Sequence, residues 1–385
     1  MAREGVRSEI GFIAPVEGLR GIAVLWVIAF HCAALRGDAF DDPWIALLAS
    51  APVLDVVARN GYLGVDLFFL ITGFLLTLPW FRHAAESRPP PSAIEFYRRR
   101  AWRILPGYYV QLVLLFFVFL PLLHGWSLWK TDPAYTLDNF GAHLFLVHYT
   151  TPYTSASLGI NGALWTLSLE VQYYFLLPLL APWVVRAPLR SACALAAAAI
   201  AWRWLALHDL EPLVRRELAI GERWQVSEAT IRHLVGTQLP AYCAHFAAGI
   251  LAGHAWMRWR GRPPGGAAWA AMAVIALGVL YRIHAPQGAI LGDFTWFLIP
   301  VCLGAAMLAF ISRGFPLSQP LLANRPLAFV GRISYSVYLY HLPLLLVWNR
   351  FAPPALGWLS LPAFLALTLL AGWLSYRFVE QPFLK

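Results

Sequence analysis

Gly18-Leu19-Arg20-Gly21-Ile22-Ala23-Val24-Leu25-Trp26-Val27-Ile28-Ala29-Phe30-His31 sets an arginine and a histidine eleven positions apart in an otherwise apolar run. Eleven residues of α-helix make about three turns plus roughly 20°, so both side chains fall on one face, roughly 16 Å apart along the axis. Ionisable side chains inside an apolar helix are costly and mark a pathway, a wet cavity or a partner. The pair therefore reads as one wall of a polar channel, with a cation near its mouth and a titratable base deep inside. A neutral histidine has its reference pKa near working pH and can act as a general base. The alternative is a packed, hydrogen-bonded histidine beside an arginine that snorkels to the membrane interface.

Outward from this run the chain stays apolar. Of its 385 residues 59% are hydrophobic and only 13% charged, with a mean hydropathy of +0.60. Segment after segment approaches the twenty apolar residues needed to cross a hydrocarbon core of about 30 Å. The expected fold is all-α, a polytopic integral membrane protein of about ten transmembrane helices, in one domain over 1–385 with no fused soluble domain. The spans are read at 17–35, 62–80, 104–123, 163–184, 190–207, 238–257, 266–284, 293–312, 333–349 and 358–377. With the N-terminus in the cytoplasm, Arg82, Arg88, Arg98, Arg99, Arg100 and Arg103 share one side with Arg186, Arg190, Arg258, Arg260, Arg262, Arg313, Arg325 and Arg332. That bias is the positive-inside pattern, and it puts both termini in the cytoplasm. It also accounts for the net charge of +9 without nucleic acid. Cys32, Cys193, Cys243 and Cys302 lie in apolar segments without metal-like spacing, so neither a metal site nor a disulfide framework is expected.

The segment 138–150 is too short to span, and counting it as a span would invert the arginine bias. It is expected to be interfacial or re-entrant, leading into the small, polar, uncharged stretch 151–162, a plausible cavity rim. After Pro89-Pro90-Pro91, Ser92 is placed to cap the next helix.

Four further motifs carry chemistry. In Arg98-Arg99-Arg100-Ala101-Trp102-Arg103 the spacings i,i+3 and i,i+4 bring Arg99, Arg100 and Arg103 close on a helix surface. Their planar forks suit a nucleotide diphosphate; topological anchoring and anionic lipid contact explain the cluster equally well. Asp66, in Gly64-Val65-Asp66-Leu67-Phe68-Phe69, needs a cation, a histidine or a polar ligand. Glu170, in Leu164-Trp165-Thr166-Leu167-Ser168-Leu169-Glu170-Val171-Gln172, is expected in the outer half of its span, opposite Arg20, with Trp165, Ser168 and Gln172 in reach of its helix face, a set suited to sugar or polyol hydroxyls. Either carboxylate could orient His31 in a base relay. Ser334, Tyr338 and His341 recur at i, i+4, i+7 and form one polar stripe. His341 is a rival base, or the stripe is an interhelical hydrogen-bond seam.

In this order the motifs resemble the membrane-bound acyltransferase-3 family, over nearly the whole chain from Gly18 to Pro382. The resemblance rests on Arg20 and His31, the Gly64–Phe69 run, Arg99-Arg100-Ala101-Trp102-Arg103-Ile104-Leu105-Pro106, Trp165–Glu170, Ser334–His341 and the terminal Glu380-Gln381-Pro382-Phe383. Ile71-Thr72-Gly73 stands where that family usually has a Ser-Gly turn. The resemblance implies acyl transfer from cytoplasmic acyl-CoA, acetyl-CoA first, to a hydroxyl of a sugar, glycan or macrolide in the bacterial inner membrane, among membrane lipid. It makes His31 the essential histidine and Arg20, Arg100 and Arg103 donor-site arginines. The competing class is a transporter or flippase of a glycolipid or polar metabolite, which predicts inverted repeats and paired broken helices; neither is found. Acyl group, acceptor and oligomeric state are not fixed by the sequence.

Overall fold

The computed structural model describes residues 13–35, 43–155, 159–208, 228–259, 290–312 and 318–384. Among them every element is helical. The long helices are α1 (Ala14–Leu35), α2 (Leu63–Ala85), α3 (Ala93–Leu114), α4 (Trp165–Arg186), α5 (Pro188–His208), α6 (Leu239–Trp259), α7 (Ile290–Ile311), α8 (Ser334–Phe351) and α9 (Ser360–Ser375). Each overlaps an expected span, α3 beginning about three turns before its own (104–123); the tenth, 266–284, lies outside the described residues, as does most of the charged loop after 208. Five stretches are long and apolar enough to cross a membrane by length and composition: Ala14–Leu35, Leu63–Ala85, Ala93–His124, Gly162–Arg186 and Ala355–Phe383. An all-α membrane architecture follows.

Sequence dictates how α3 begins and bends. The Ser92 side chain accepts the Glu95 backbone N–H at 3.4 Å, the expected cap. α3 continues through a π-turn at Leu115–Phe119 into Leu120–His124, where Pro121 supplies no N–H to the helical ladder. The continuous stretch is 32 residues long, against about 20 needed to span. Its first three turns, which carry the arginines, are therefore surplus to a crossing and free to shape a mouth.

Close packing sets the centre. α1 lies against α2, α8 and the short helix Arg325–Arg332, and α2 lies along α6. The α2–α6 contact is a small-residue crossing of the kind that lets membrane helices touch backbone to backbone. A Cβ at Gly249 would stand 2.3 Å from the Leu70 carbonyl oxygen, and one at Gly73 would stand 2.7 Å from that of Phe246. Gly249→Leu is therefore expected to cost at least the ~1–3 kcal/mol of an overpacked core and to lower the thermal midpoint in detergent. Gly141→Ala, where nothing lies within 4 Å of the added carbon, should hold or raise it. Equal midpoints for the two variants would contradict this packing.

The non-spanning segment begins earlier than expected. Asp132 accepts the Tyr135 N–H at 3.2 Å and starts a helix over Pro133–Leu144, about 18 Å long. The chain then reverses at Leu146, whose φ is +58°, into turns at His148–Thr150 and Pro152–Ser155. Tyr108 donates to the His143 carbonyl at 2.7 Å and ties this segment to α3. His143 and His148 are wholly buried and stack at 4.0 Å between centroids, 9° from parallel.

Burial pulls the His148 pKa down to about 4. Burial, with the neighbouring His148 second, holds His143 well below its ordinary value. Both are neutral in the folded state near pH 7, and the unfolded chain binds protons that the folded chain refuses once pH falls below about 6.5. Folded stability is thus fully present above about pH 6.5 and falls on acidification until about pH 4, by on the order of 3 kcal/mol for His148 alone. A thermal midpoint that declines across this window, less steeply in His148→Gln, is the expected result. A flat profile from pH 7 to 4 would contradict it.

Candidate functional site

α4 does not start at the outside of the bundle. The turn Gly162–Leu164 precedes it, with Ala163 and Leu164 buried. Asn161 donates to the Leu339 carbonyl at 3.0 Å, and His148 Nε2 donates to the Leu164 carbonyl at 3.0 Å. The polar stretch thus carries the chain deep into the protein before the helix begins. Two turns later Glu170 has travelled to the level of Arg20 and not, as expected, to the opposite half of the molecule.

The result is a cavity of about 420 Å³. Its polar lining includes Glu17 and Arg20 from α1, Arg100 and Arg103 from α3, and Glu170 and Tyr174 from α4. Arg20 Nη2 donates to Ser334 Oγ at 3.2 Å, and its Nη1 lies 3.8 Å from Glu17. Tyr174 donates to Glu170 Oε1, and Thr72 donates to the same oxygen at 3.4 Å. The Arg100 guanidinium sits 5.9 Å from the Phe96 ring centre, with its Nε buried and without a hydrogen bond. Among the described residues of this lining three arginines face two carboxylates, a surplus of positive charge in a partly desolvated space. Such a site is built to take an anion, and arginine forks favour phosphate.

The far end of the cavity is mainly apolar and aromatic, lined by Val65, Phe68 and Tyr338 beside the Thr166 hydroxyl. The Tyr338 hydroxyl donates to the Ala163 carbonyl at 2.9 Å and accepts from Thr166 at 3.0 Å. Phe68 meets the Tyr338 ring edge-on at 6.1 Å. Beyond Tyr338, at 5.4 Å between ring centroids, lies His341. His341 Nε2 is 3.2 Å from His31 Nδ1. The two histidines therefore stand one aromatic ring past the end of the charged cavity.

The expected residues sort into three groups. Arg20, Arg100, Arg103, Glu170, Ser334 and Tyr338 come together around the cavity, while His31 and His341 meet behind it. Arg99 does not join them. It lies 3.8 Å from Glu95, 47% exposed, because adjacent helix positions point about 100° apart. Trp165, Ser168 and Gln172 also point elsewhere. Trp165 packs on Phe69, Tyr149 and Tyr242, and Ser168 is buried and accepts from Gln172 at 3.4 Å. Glu170 uses a different face of α4, shared with Thr166 and Tyr174 at i−4 and i+4. That spacing is legible in the sequence, whereas Thr72 reaches Glu170 from another helix and no local pattern links the two.

Neither carboxylate orients His31. Asp66 is 3.1 Å from His245 Nε2 in a buried pair between α2 and α6, and Glu170 is held by Tyr174 and Thr72. The partners of His31 are the Val27 carbonyl, 3.0 Å from Nδ1, and His341.

A family model described as an acyltransferase domain matches residues 13–377, and the chain belongs to that acyltransferase-3 family. It is 26% identical over 95% of its length, and 81% of the relative's, to BcsY of Komagataeibacter xylinus, which carries the name of a membrane-bound transacylase. It is 22% identical over 97% of its length to the peptidoglycan O-acetyltransferase OatA of Listeria monocytogenes, spanning 56% of that longer protein. Over 49% of its length it is 31% identical to the acyltransferase MdmB of Streptomyces mycarofaciens, covering 45% of the latter. No solved structure matches the chain. It is a membrane acyltransferase, which sets the transporter alternative aside.

Proposed function

We propose that this acyltransferase moves an acyl group, acetyl most simply, from acyl-CoA to a hydroxyl of a sugar, glycan or macrolide-type acceptor, with His31 as general base. One observation carries the reading: a cavity with three arginines at one end stops one tyrosine ring short of a histidine pair. The nucleotide phosphates fit the arginine end, and the thioester arm points along the cavity towards Tyr338. The roughly 16 Å between the Arg20 and His31 positions on α1 is the distance such an arm has to cover.

In this mechanism His31 Nε2 takes the proton of the acceptor hydroxyl. The oxygen's electron pair attacks the thioester carbonyl carbon, a C–O bond forms and the C–S bond breaks. The CoA sulfur leaves as thiolate and collects the proton from His31. Transfer is direct, without an acyl-enzyme. Cys32 adjoins His31, but points about 100° away from it on the helix.

The arginine bias among the loops supports an inner-membrane orientation with the cavity mouth in the cytoplasm, where acyl-CoA is made. Glu170 then belongs to the donor end and not to the acceptor. Relatives named for peptidoglycan O-acetylation support a glycan acceptor as the first to try.

Purified protein in lipid nanodiscs, given acetyl-CoA and a panel of glycan fragments and macrolides, is expected to yield an acceptor about 42 Da heavier, the mass one acetyl group adds, with one CoA thiol freed per product. Consumption of acetyl-CoA that never depends on His31 would reject the reading.

A further inference from the structure

The histidine pair fixes its own proton positions. His31 Nδ1 lies 3.0 Å from the Val27 carbonyl oxygen, and His341 Nδ1 lies 2.7 Å from the Tyr338 carbonyl oxygen. A carbonyl oxygen can only accept, so in each neutral ring the proton sits on Nδ1 and Nε2 is bare. His341 Nε2 faces His31 Nδ1 at 3.2 Å. It can therefore only accept, and the His31 Nδ1–H is shared between Val27 and His341. What remains is His31 Nε2, an unprotonated nitrogen with no hydrogen-bond partner among the described residues. His341 is wholly buried, whereas His31 is only half-buried. The inner ring is out of reach of an acceptor hydroxyl, and the outer one is open to it.

We propose that His341 is a positioning residue that holds His31 in the Nδ1–H tautomer and, through its bare Nε2, accepts a hydrogen bond that strengthens when His31 becomes imidazolium. This rests on the proposed role of His31 as base and gives that base its orienter, the part that a carboxylate plays in other relays. It also decides between the two candidate bases. His341 cannot take a substrate proton without giving up its contact with His31, and Tyr338 and the surrounding core wall it off. A neutral orienter suits this place. A carboxylate here would put a charge in the apolar interior, at the cost that buried charge carries, whereas an imidazole supplies an acceptor without one.

Two readouts test the dyad without needing the acceptor. In protein labelled with ring-¹⁵N histidine, His31 signals are assigned by their loss in His31→Gln. The expected result is a protonated Nδ1 on His31 and a ¹⁵N–¹⁵N coupling across the Nδ1–H···Nε2 bond to His341. The second readout is the rate at which diethyl pyrocarbonate, which reacts at an unprotonated imidazole nitrogen, modifies His31 as followed by peptide mass. His341→Leu removes the acceptor and should slow that reaction several-fold. His341→Gln places an amide oxygen where Nε2 stood and should restore it. A purely structural role for His341 would leave the His31 rate tied to folding and not to the acceptor.

An Nε2–H tautomer on His31, absence of the coupling in the wild type, or an unchanged rate in His341→Leu would each overturn the proposal. Should His341→Leu not fold, the wild-type coupling and the His341→Gln rate still decide. The dyad could stand while His31→Ala leaves acetyl transfer untouched; that result would sink the proposed function and not the geometry.

Discussion

His31→Ala is expected to lower acyl transfer by about 10²–10⁴-fold, the usual worth of a general base, and to leave CoA affinity unchanged. The two halves of this expectation come from separate places in the structure. His31 is outside the lining of the charged cavity, so its loss removes nothing that a nucleotide would touch. Its Nε2 is the one bare, reachable nitrogen of the pair, so its loss removes the proton acceptor. The alanine leaves His341 Nε2 without the His31 donor, at the modest cost of one hydrogen bond, and the variant should remain foldable. Turnover measured with saturating acetyl-CoA, beside calorimetry with CoA alone, separates the two. Wild-type turnover in the variant would pass the role to another group, and lost CoA affinity would mean that the cavity reaches further than Tyr338.

Arg100→Ala and Arg103→Ala are expected to act on the opposite quantity. A hydrogen bond to a charged group contributes about 1.5–3 kcal/mol, so each truncation should weaken CoA binding by about 10–150-fold. The Nε of Arg100 is buried without a hydrogen bond, and both guanidiniums face the cavity. Arg99→Ala is the matched control. Its partner is Glu95 on an exposed surface, where an ion pair is worth little, and CoA affinity should not move. If Arg99 proved as important as its neighbours, the cluster would be acting as a diffuse basic surface, which is the anchoring alternative.

How legible the site was depended on which rule each residue obeyed. Arg20 and His31, Ser334 and Tyr338, and the helices that carry them follow from periodicity within one regular helix, and periodicity is a local property. Arg99 could not be separated from Arg100 and Arg103, because i,i+3 and i,i+4 spacing only says which positions are near one another, not which way the cavity lies. Glu170 falls in the opposite half when its depth is counted from an interfacial helix start, while α4 starts inside the protein behind the His148–Leu164 turn. A helix that begins on a buried segment shifts every residue on it by the depth of that segment. Asp66 found a histidine, as its burial cost demanded, but it was His245, 179 positions along the chain, and no local pattern links the two. The same holds for His31 and His341, each singled out as a rival to the other. Only the packing of α1 on α8 shows them to be a pair.

The most direct test of the account is a cryo-EM map of the protein in nanodiscs with S-(2-oxopropyl)-CoA, in which a thioether ketone replaces the reactive thioester. The account predicts the nucleotide phosphates against Arg20, Arg100 and Arg103, the Tyr338 and Phe68 rings turned aside, and the ketone carbonyl carbon facing His31 Nε2. A map with the nucleotide bound away from those arginines, or with the ketone end still shut off from His31 by Tyr338, would contradict it.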